Sequence, residues 1–209
     1  MLPFDAGAMF AALAHYHATF WPLQWLALAW GVATLGAAAS GRSRTALLLL
    51  AAAWIWVGAA WHITTFAELN FAAPIYGALF VVEGAVLAWM AARGRVALRF
   101  RRRARDWVGL GFAMTALVGY PLVDRLSGVP WPAVRLPGTA PCPTALFTLG
   151  ILLLAAGRSA AGSMVLPALW TVAAGATGWV LAIGHDQLLP VAGVAALALA
   201  LWPERRVRT

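Results

Sequence analysis

Lysine is absent from these 209 residues, and all fifteen basic side chains are arginine. A Schiff base to a carbonyl ligand such as retinal needs a lysine amine, so retinal is excluded. A single cysteine, Cys142, rules out an intramolecular disulfide. Charge is scarce as well: 11% of residues are charged, 63% are hydrophobic and the mean hydropathy is +0.80. Too little polar surface remains to face water, which excludes a water-soluble domain of this length. Cys-x-x-Cys and His-Glu-x-x-His zinc spacings, a P-loop and a Gly-x-Ser-x-Gly elbow are all missing. So are paired histidines deep in the apolar runs, which a haem held from both faces needs. Soluble-type catalysis and conventional electron carriage therefore have little support.

What is present is a series of long apolar runs. A hydrocarbon core about 30 Å thick takes roughly 20 helical residues, with every backbone N–H and C=O paired internally. Seven segments meet or approach that demand: Pro22 to Ala39, Thr45 to Phe66, Pro74 to Ala92, Trp107 to Val123, Pro143 to Ala156, Ser163 to Ile183 and Leu188 to Trp202. The expected fold is all-α, a polytopic transmembrane helix bundle of about seven helices. It forms one domain over 22–202, preceded by an interfacial amphipathic segment, 1–21, and followed by a short basic tail, 203–209.

The arginines orient this map. Short cytoplasmic loops collect Arg and Lys, and exported loops do not. Alternate connections carry thirteen arginines against two, the two being Arg125 and Arg135. The largest group is Arg93, Arg95, Arg99, Arg101, Arg102, Arg103 and Arg105. This places the N-terminus outside and the C-terminus inside, in the cytoplasmic (inner) membrane of a bacterium. Abundant alanine and arginine without lysine match the codon bias of a GC-rich bacterial genome. The net charge of +8 and pI near 11.4 are thereby a topology signal, and nucleic acid is not an expected partner. The bilayer is, and the 93–105 arginines suit anionic lipid headgroups, at about 1 kcal/mol per basic residue.

At the N-terminus no basic stretch precedes an apolar run, so a signal peptide is not expected. Asp5 is placed to cap a short helix. Met9, Leu13, Tyr16 and Phe20 form one apolar stripe suited to the outer membrane face. His15 and His17 lie about 200° apart on such a helix and do not share one ligand geometry. They read as surface histidines.

Ionisable groups in apolar spans are costly and mark functional candidates. His62 shares a face with Trp54 and Gly58, and Gly58 leaves room beside a neighbouring helix. His62 either bonds a carbonyl between helices or serves function. Cys142 stands in Pro141-Cys142-Pro143-Thr144, where Pro143 at the first helical position makes Cys142 the N-cap. The helix dipole there favours a reactive or metal-liganding thiolate, the plain alternative being an inert small side chain. Glu83, in the third span, reads as a proton or cation site or as a neutral packing group. Asp186 is placed to cap the last helix, with His185 solvated. All four histidines, Cys142, Glu68, Asp124 and Asp186 map to the outer half.

These residues also carry a resemblance. Phe20-Trp21-Pro22-Leu23-Gln24, Trp54 through Trp61-His62 with Phe66, Asn70 and Ala72-Ala73, Gly119-Tyr120-Pro121, and Pro141-Cys142-Pro143-Thr144 with Phe147-Thr148-Leu149-Gly150 occur in order. Together they resemble an uncharacterised bacterial multi-pass membrane family, known only as a domain of unknown function. The pattern departs at His17, where asparagine is expected, at Ser127-Gly128, where Gly-His is expected, and at His185, where glutamine is usual. His62, Asn70, Cys142, Thr144 and Asp186 remain as the matched polar set. The resemblance implies a membrane fold and supplies no activity.

Three functions stay open. A small transporter or channel-like protein would use an outward polar site of His62, Asn70, Cys142, Thr144 and Asp186, with Glu83 deeper on the path. A membrane thiol enzyme or redox protein would use Cys142 as nucleophile and His62 as base. A structural subunit would use the same groups only to pack helices. No cofactor is required, although a soft metal such as Cu(I) or Zn suits Cys142 and His62. Small-residue faces such as Ala174 and Gly178 allow helix association within one chain or between chains.

Overall fold

The computed structural model describes residues 3–156 and 159–202. Arg158, the basic tail 203–209 with Arg205, Arg206 and Arg208, and the first two residues of the N-terminal segment lie outside the described residues.

Each apolar run folds into a helix, the structure that pairs backbone groups internally where water is excluded. Asp5 Oδ1 accepts the Ala8 N–H at 2.7 Å and opens α1, Ala6–Thr19. The chain then bends by 88° into α2, Leu23–Ala39. Further on come α3, Ser43–Glu68, α4, Ala73–Arg93, and α5, Ala104–Leu126. The remaining helices are α6, Pro141–Leu152, α7, Gly162–Val180, and α8, Asp186–Leu201. Among the described residues there are thus eight helices and no strand, only an isolated bridge between Leu98 and Ala155.

All seven expected spans are helical, but they are not equivalent. Four helices, α3, α4, α5 and α7, are long and apolar enough to cross a membrane, and the bent pair α1–α2 makes five if counted as one span. The segments expected at 143–156 and 188–202 form shorter apolar helices instead. For α6 the reason is its position: every one of its 12 residues except Cys142 is buried. A helix about 18 Å long walled by protein has no lipid thickness to match. The connection before it, 127–140, also turns into the bundle, burying Val134, Arg135, Leu136, Thr139 and Ala140. Irregular backbone is tolerated at such depth only where protein surrounds it.

The apolar stripe of α1 faces protein. Leu13 and Tyr16 are buried, Tyr16 accepts the Trp56 indole N–H at 2.6 Å, and Phe20 packs edge-on against Trp56. Contrary to the surface reading, His17 is buried too, its Nδ1 2.8 Å from the Pro132 carbonyl. Gln24 donates to the Trp131 carbonyl at 2.7 Å, so α1 and α2 both grip the 127–140 connection.

Glycines set the closest helix crossings. A Cβ on Gly58 of α3 would stand 2.7 Å from the Gly77 carbonyl of α4, and one on Gly109 of α5 would stand 2.6 Å from the Gly150 carbonyl of α6. Such approach without a large side chain is how apolar helices associate when lipid competes equally for their surfaces. The Ala174–Gly178 face is occupied within the chain, since a Cβ on Gly178 would meet Asp186 Cβ at 2.6 Å.

The two ends of the bundle differ in charge. At one end the 94–103 strap ties several helix ends together: Phe100 N donates to Ala39 O, Leu98 N to Ser43 Oγ, Arg99 N to Leu154 O, and Ala156 N to Ala97 O. That end carries Arg42, Arg44 and the seven arginines from Arg93 to Arg105. The opposite end carries Asp5, Glu68, Asp124 and Asp186 with Arg125 and Arg135. Arg103 is paired to Asp106 at 2.7 Å.

Gly58→Val should force α3 and α4 apart and cost about 1–3 kcal/mol, measured as a lower unfolding midpoint in detergent. Gly36→Ala, with nothing within 4 Å of its Cβ, should leave the midpoint unchanged or raise it.

Candidate functional site

Two local departures from α-helix shape the acidic end. In α3 the backbone widens to a π-helix over Val57–Thr65, and in α5 over Thr115–Gly119. The second has a direct cause: Pro121 has no N–H and its ring crowds the carbonyl four residues back, so the preceding turn widens. In the first, the Thr64 and Thr65 hydroxyls donate to the carbonyls of Ala59 and Ala60, five residues back. The first π segment carries His62, and the second delivers Tyr120. Such segments recur at functional sites because they turn one side chain out of the helical register.

Beside the first of these segments lies a cavity of about 130 Å³, walled by Phe4, Trp61, Phe66, Tyr76 and Trp170. Met9 and Leu13 of α1 also line it, and His62, Asn70, Arg135, Cys142 and Asp186 supply its polar lining. His62 is 1% exposed, with the rings of Phe66, Tyr76, Phe80 and Trp170 around it at centroid distances of 4.8 to 6.1 Å. Among the described residues neither imidazole nitrogen has a hydrogen-bond partner, and neither does the Trp170 indole N–H. The interhelical carbonyl bond expected of a packing histidine is not made.

Beside the cavity sits a buried ion cluster. The Arg135 guanidinium donates to Asp186 Oδ2 at 2.7 Å and to both oxygens of Asp124, at 2.6 and 3.1 Å. Its backbone N–H reaches Asp124 Oδ2 at 3.0 Å. Tyr120 OH donates to Asp186 Oδ1 at 2.7 Å, His185 Nε2 lies 3.1 Å from Asp124 Oδ1, and His185 also touches Arg135. Phe10 and Tyr120 present ring faces to the guanidinium at 5.4 and 5.2 Å. Burial works against the Arg135 charge, but Asp186 and Asp124 more than offset it and hold its pKa above the usual arginine range. Two carboxylates share one guanidinium, and the cluster joins α5, the 127–140 connection and α8.

Of the candidates named from sequence, His62, Asn70, Cys142 and Asp186 line this one cavity, while Thr144 and Glu83 are not in the lining. Thr144 is structural: its Oγ1 donates to Ala140 O at 2.6 Å and accepts Gly138 N–H at 2.8 Å, fastening the start of α6. Asn70 Oδ1 accepts the Ala72 N–H at 3.0 Å ahead of α4. Glu83 is buried farther along α4, beyond Phe80, whose ring packs on both His62 and Trp54. Cys142 is not the N-cap; Ala140 is, because the helix already starts at Pro141, the proline favoured at its first turn. Nor does Asp186 spend its carboxylate on capping α8, or His185 point to bulk solvent, since the buried Arg135 recruits both. Sequence reasoning passed over Arg135, Tyr120 and Trp170. One signal was available: Arg135 is one of only two arginines on the side where the loop rule disfavours them. Among the described residues, no three His, Cys, Asp or Glu side chains converge as metal ligands.

An all-helical bundle with an aromatic-walled cavity beside an ion cluster defines the class: a membrane-type helical protein with a candidate site near one end. The chain belongs to the Family of unknown function (DUF6064), which matches residues 6–209. No curated protein matches the chain. No solved structure matches it either.

Removing one partner of a buried pair strands the other charge, so Asp124→Ala should cost about 3–5 kcal/mol, seen as a lower unfolding midpoint. Arg135→Lys should fall similarly, because an ammonium cannot span both carboxylates as a planar fork does. An unchanged midpoint in both would show that the cluster does not hold the fold.

Proposed function

We propose that the protein is a multi-pass protein of a bacterial cytoplasmic membrane, N-terminus outside, whose outward cavity binds a small uncharged solute. The carrying observation is a ring-sized cavity in which His62 and Trp170 keep unpaired polar atoms. Leaving a buried donor or acceptor unpaired costs about 1–3 kcal/mol each, so a solute that pairs with them recovers that cost. An apolar cavity of about 150 Å³ accepts benzene, which sets the size class. The charge argument disfavours ions: in the lining an anion meets Asp186, a cation meets Arg135, and either loses hydration worth several kcal/mol. A ring bearing one hydroxyl or carbonyl fits best. Phe80 packs behind His62 and Trp170 on the way to Glu83, which favours a binding site over an open pore; transport would add a movement of Phe80.

The thiol-enzyme reading keeps one supporting observation, that Cys142 and His62 share the cavity. Phenol and toluene titrated into the purified protein in detergent test both readings through tryptophan fluorescence and the unfolding midpoint. Phenol should bind more tightly than toluene. His62→Phe combined with Trp170→Phe should reverse that preference, and Ala174→Phe should fill the cavity and abolish both. Cys142→Ser should bind phenol as the parent does. Equal responses in the parent and Ala174→Phe would overturn the site, and loss of binding in Cys142→Ser alone would favour thiol chemistry.

A further inference from the structure

The arginine-rich end does more than set topology. A positive-inside signal requires only that arginines lie in a connection; it does not require the connection to fold. Yet the 94–103 strap is bonded to α2, α3 and the segment after α6 by the four backbone and hydroxyl bonds described above. Arg101 extends this by donating to the carbonyls of Arg99 and Leu154, at 3.3 and 3.2 Å. Arg102 stands at φ 61°, a left-handed conformation costly for a side-chain-bearing residue and found where the surrounding structure demands it.

This frame fixes exposed guanidiniums. Arg42, Arg44, Arg93, Arg95, Arg99, Arg101 and Arg102 are all exposed, while the acid of this end among the described residues, Asp106, is buried against Arg103. A depression of about 440 Å³ opens between Arg42–Arg44 and the strap near Gly94. Directly beside the arginines lie exposed tryptophans: Trp89, with Arg93 over its ring at 5.1 Å, and Trp107, edge-on to Phe100 at 4.9 Å. Indole rings of this kind settle at the headgroup level of a bilayer. Positive charge next to an apolar belt is complementary to a molecule with an anionic head and an apolar tail, not to a free anion.

We infer that the strap and the Arg42–Arg44 turn form a docking surface for the headgroup of an anionic phospholipid. The inference is independent of the cavity at the opposite end and of any solute bound there.

The test uses the full chain in a mild detergent, with phosphatidylglycerol, phosphatidylcholine or inorganic phosphate added and the unfolding midpoint read. Phosphatidylglycerol should raise the midpoint by several degrees, phosphatidylcholine and inorganic phosphate should not, and high salt should shrink the rise. The fourfold variant Arg42→Gln, Arg44→Gln, Arg95→Gln, Arg99→Gln should lose the rise, and the matching fourfold lysine variant should keep most of it. Equal shifts with both lipids, or an undiminished rise in the glutamine variant, would overturn the inference. A phosphate effect equal to that of the lipid would overturn it in favour of a free-anion site. If the glutamine variant fails to fold, the salt dependence and the lysine variant still decide.

Discussion

A guanidinium cannot stand alone inside an apolar bundle, and this constraint organises the acidic end of the molecule. Taking an isolated ion from water costs several kcal/mol even after relaxation. Arg135 meets that cost through Asp124 and Asp186, with Tyr120 and His185 completing the carboxylates' hydrogen bonds. Because these groups come from α5, the 127–140 connection and α8, the pairing dictates where each element ends. The connection must enter the bundle to bring Arg135 to the carboxylates, and α6 starts deep because the chain emerges there. The outer wall of the cavity follows from the same geometry.

The second organising element is the pair of π segments. An α-helix repeats its faces every 3.6 residues, so a side chain needed off that face requires a local change of winding. His62 sits within one such change and Tyr120 directly after the other. His62 lines the aromatic side of the cavity, while Tyr120 stands behind the ionic side, hydrogen-bonded to Asp186. The unpartnered nitrogens of His62 thereby sit where a small molecule has room.

The helical fold was legible because hydrophobicity and arginine distribution report the same thing from two directions. The capping of α1 by Asp5 and the close α3–α4 approach at Gly58 were legible from local chemistry. The crossing length of the last helices was not, because an apolar run looks the same whether lipid or protein surrounds it; α6 is apolar for the second reason. Partnerships were illegible for a similar cause. His185 and Asp186 looked like a solvated turn because the arginine that recruits them lies fifty residues earlier, in a proline-rich stretch without periodicity. His17 looked exposed because its partner, the Pro132 carbonyl, belongs to that stretch too. The winding change in α3 has no sequence signature that we recognise.

The enclosure of α6 bears on how such a chain diverges over time. A residue on an exposed apolar helix surface, such as Val82 or Leu169, has few fixed neighbours and accepts any apolar shape of similar volume. A residue in 143–152 is enclosed by fixed neighbours, the Gly109–Gly150 crossing among them, so a change there needs a matching change elsewhere. Drift among distant descendants should therefore slow along α6, with the long outer helices free to exchange one apolar residue for another.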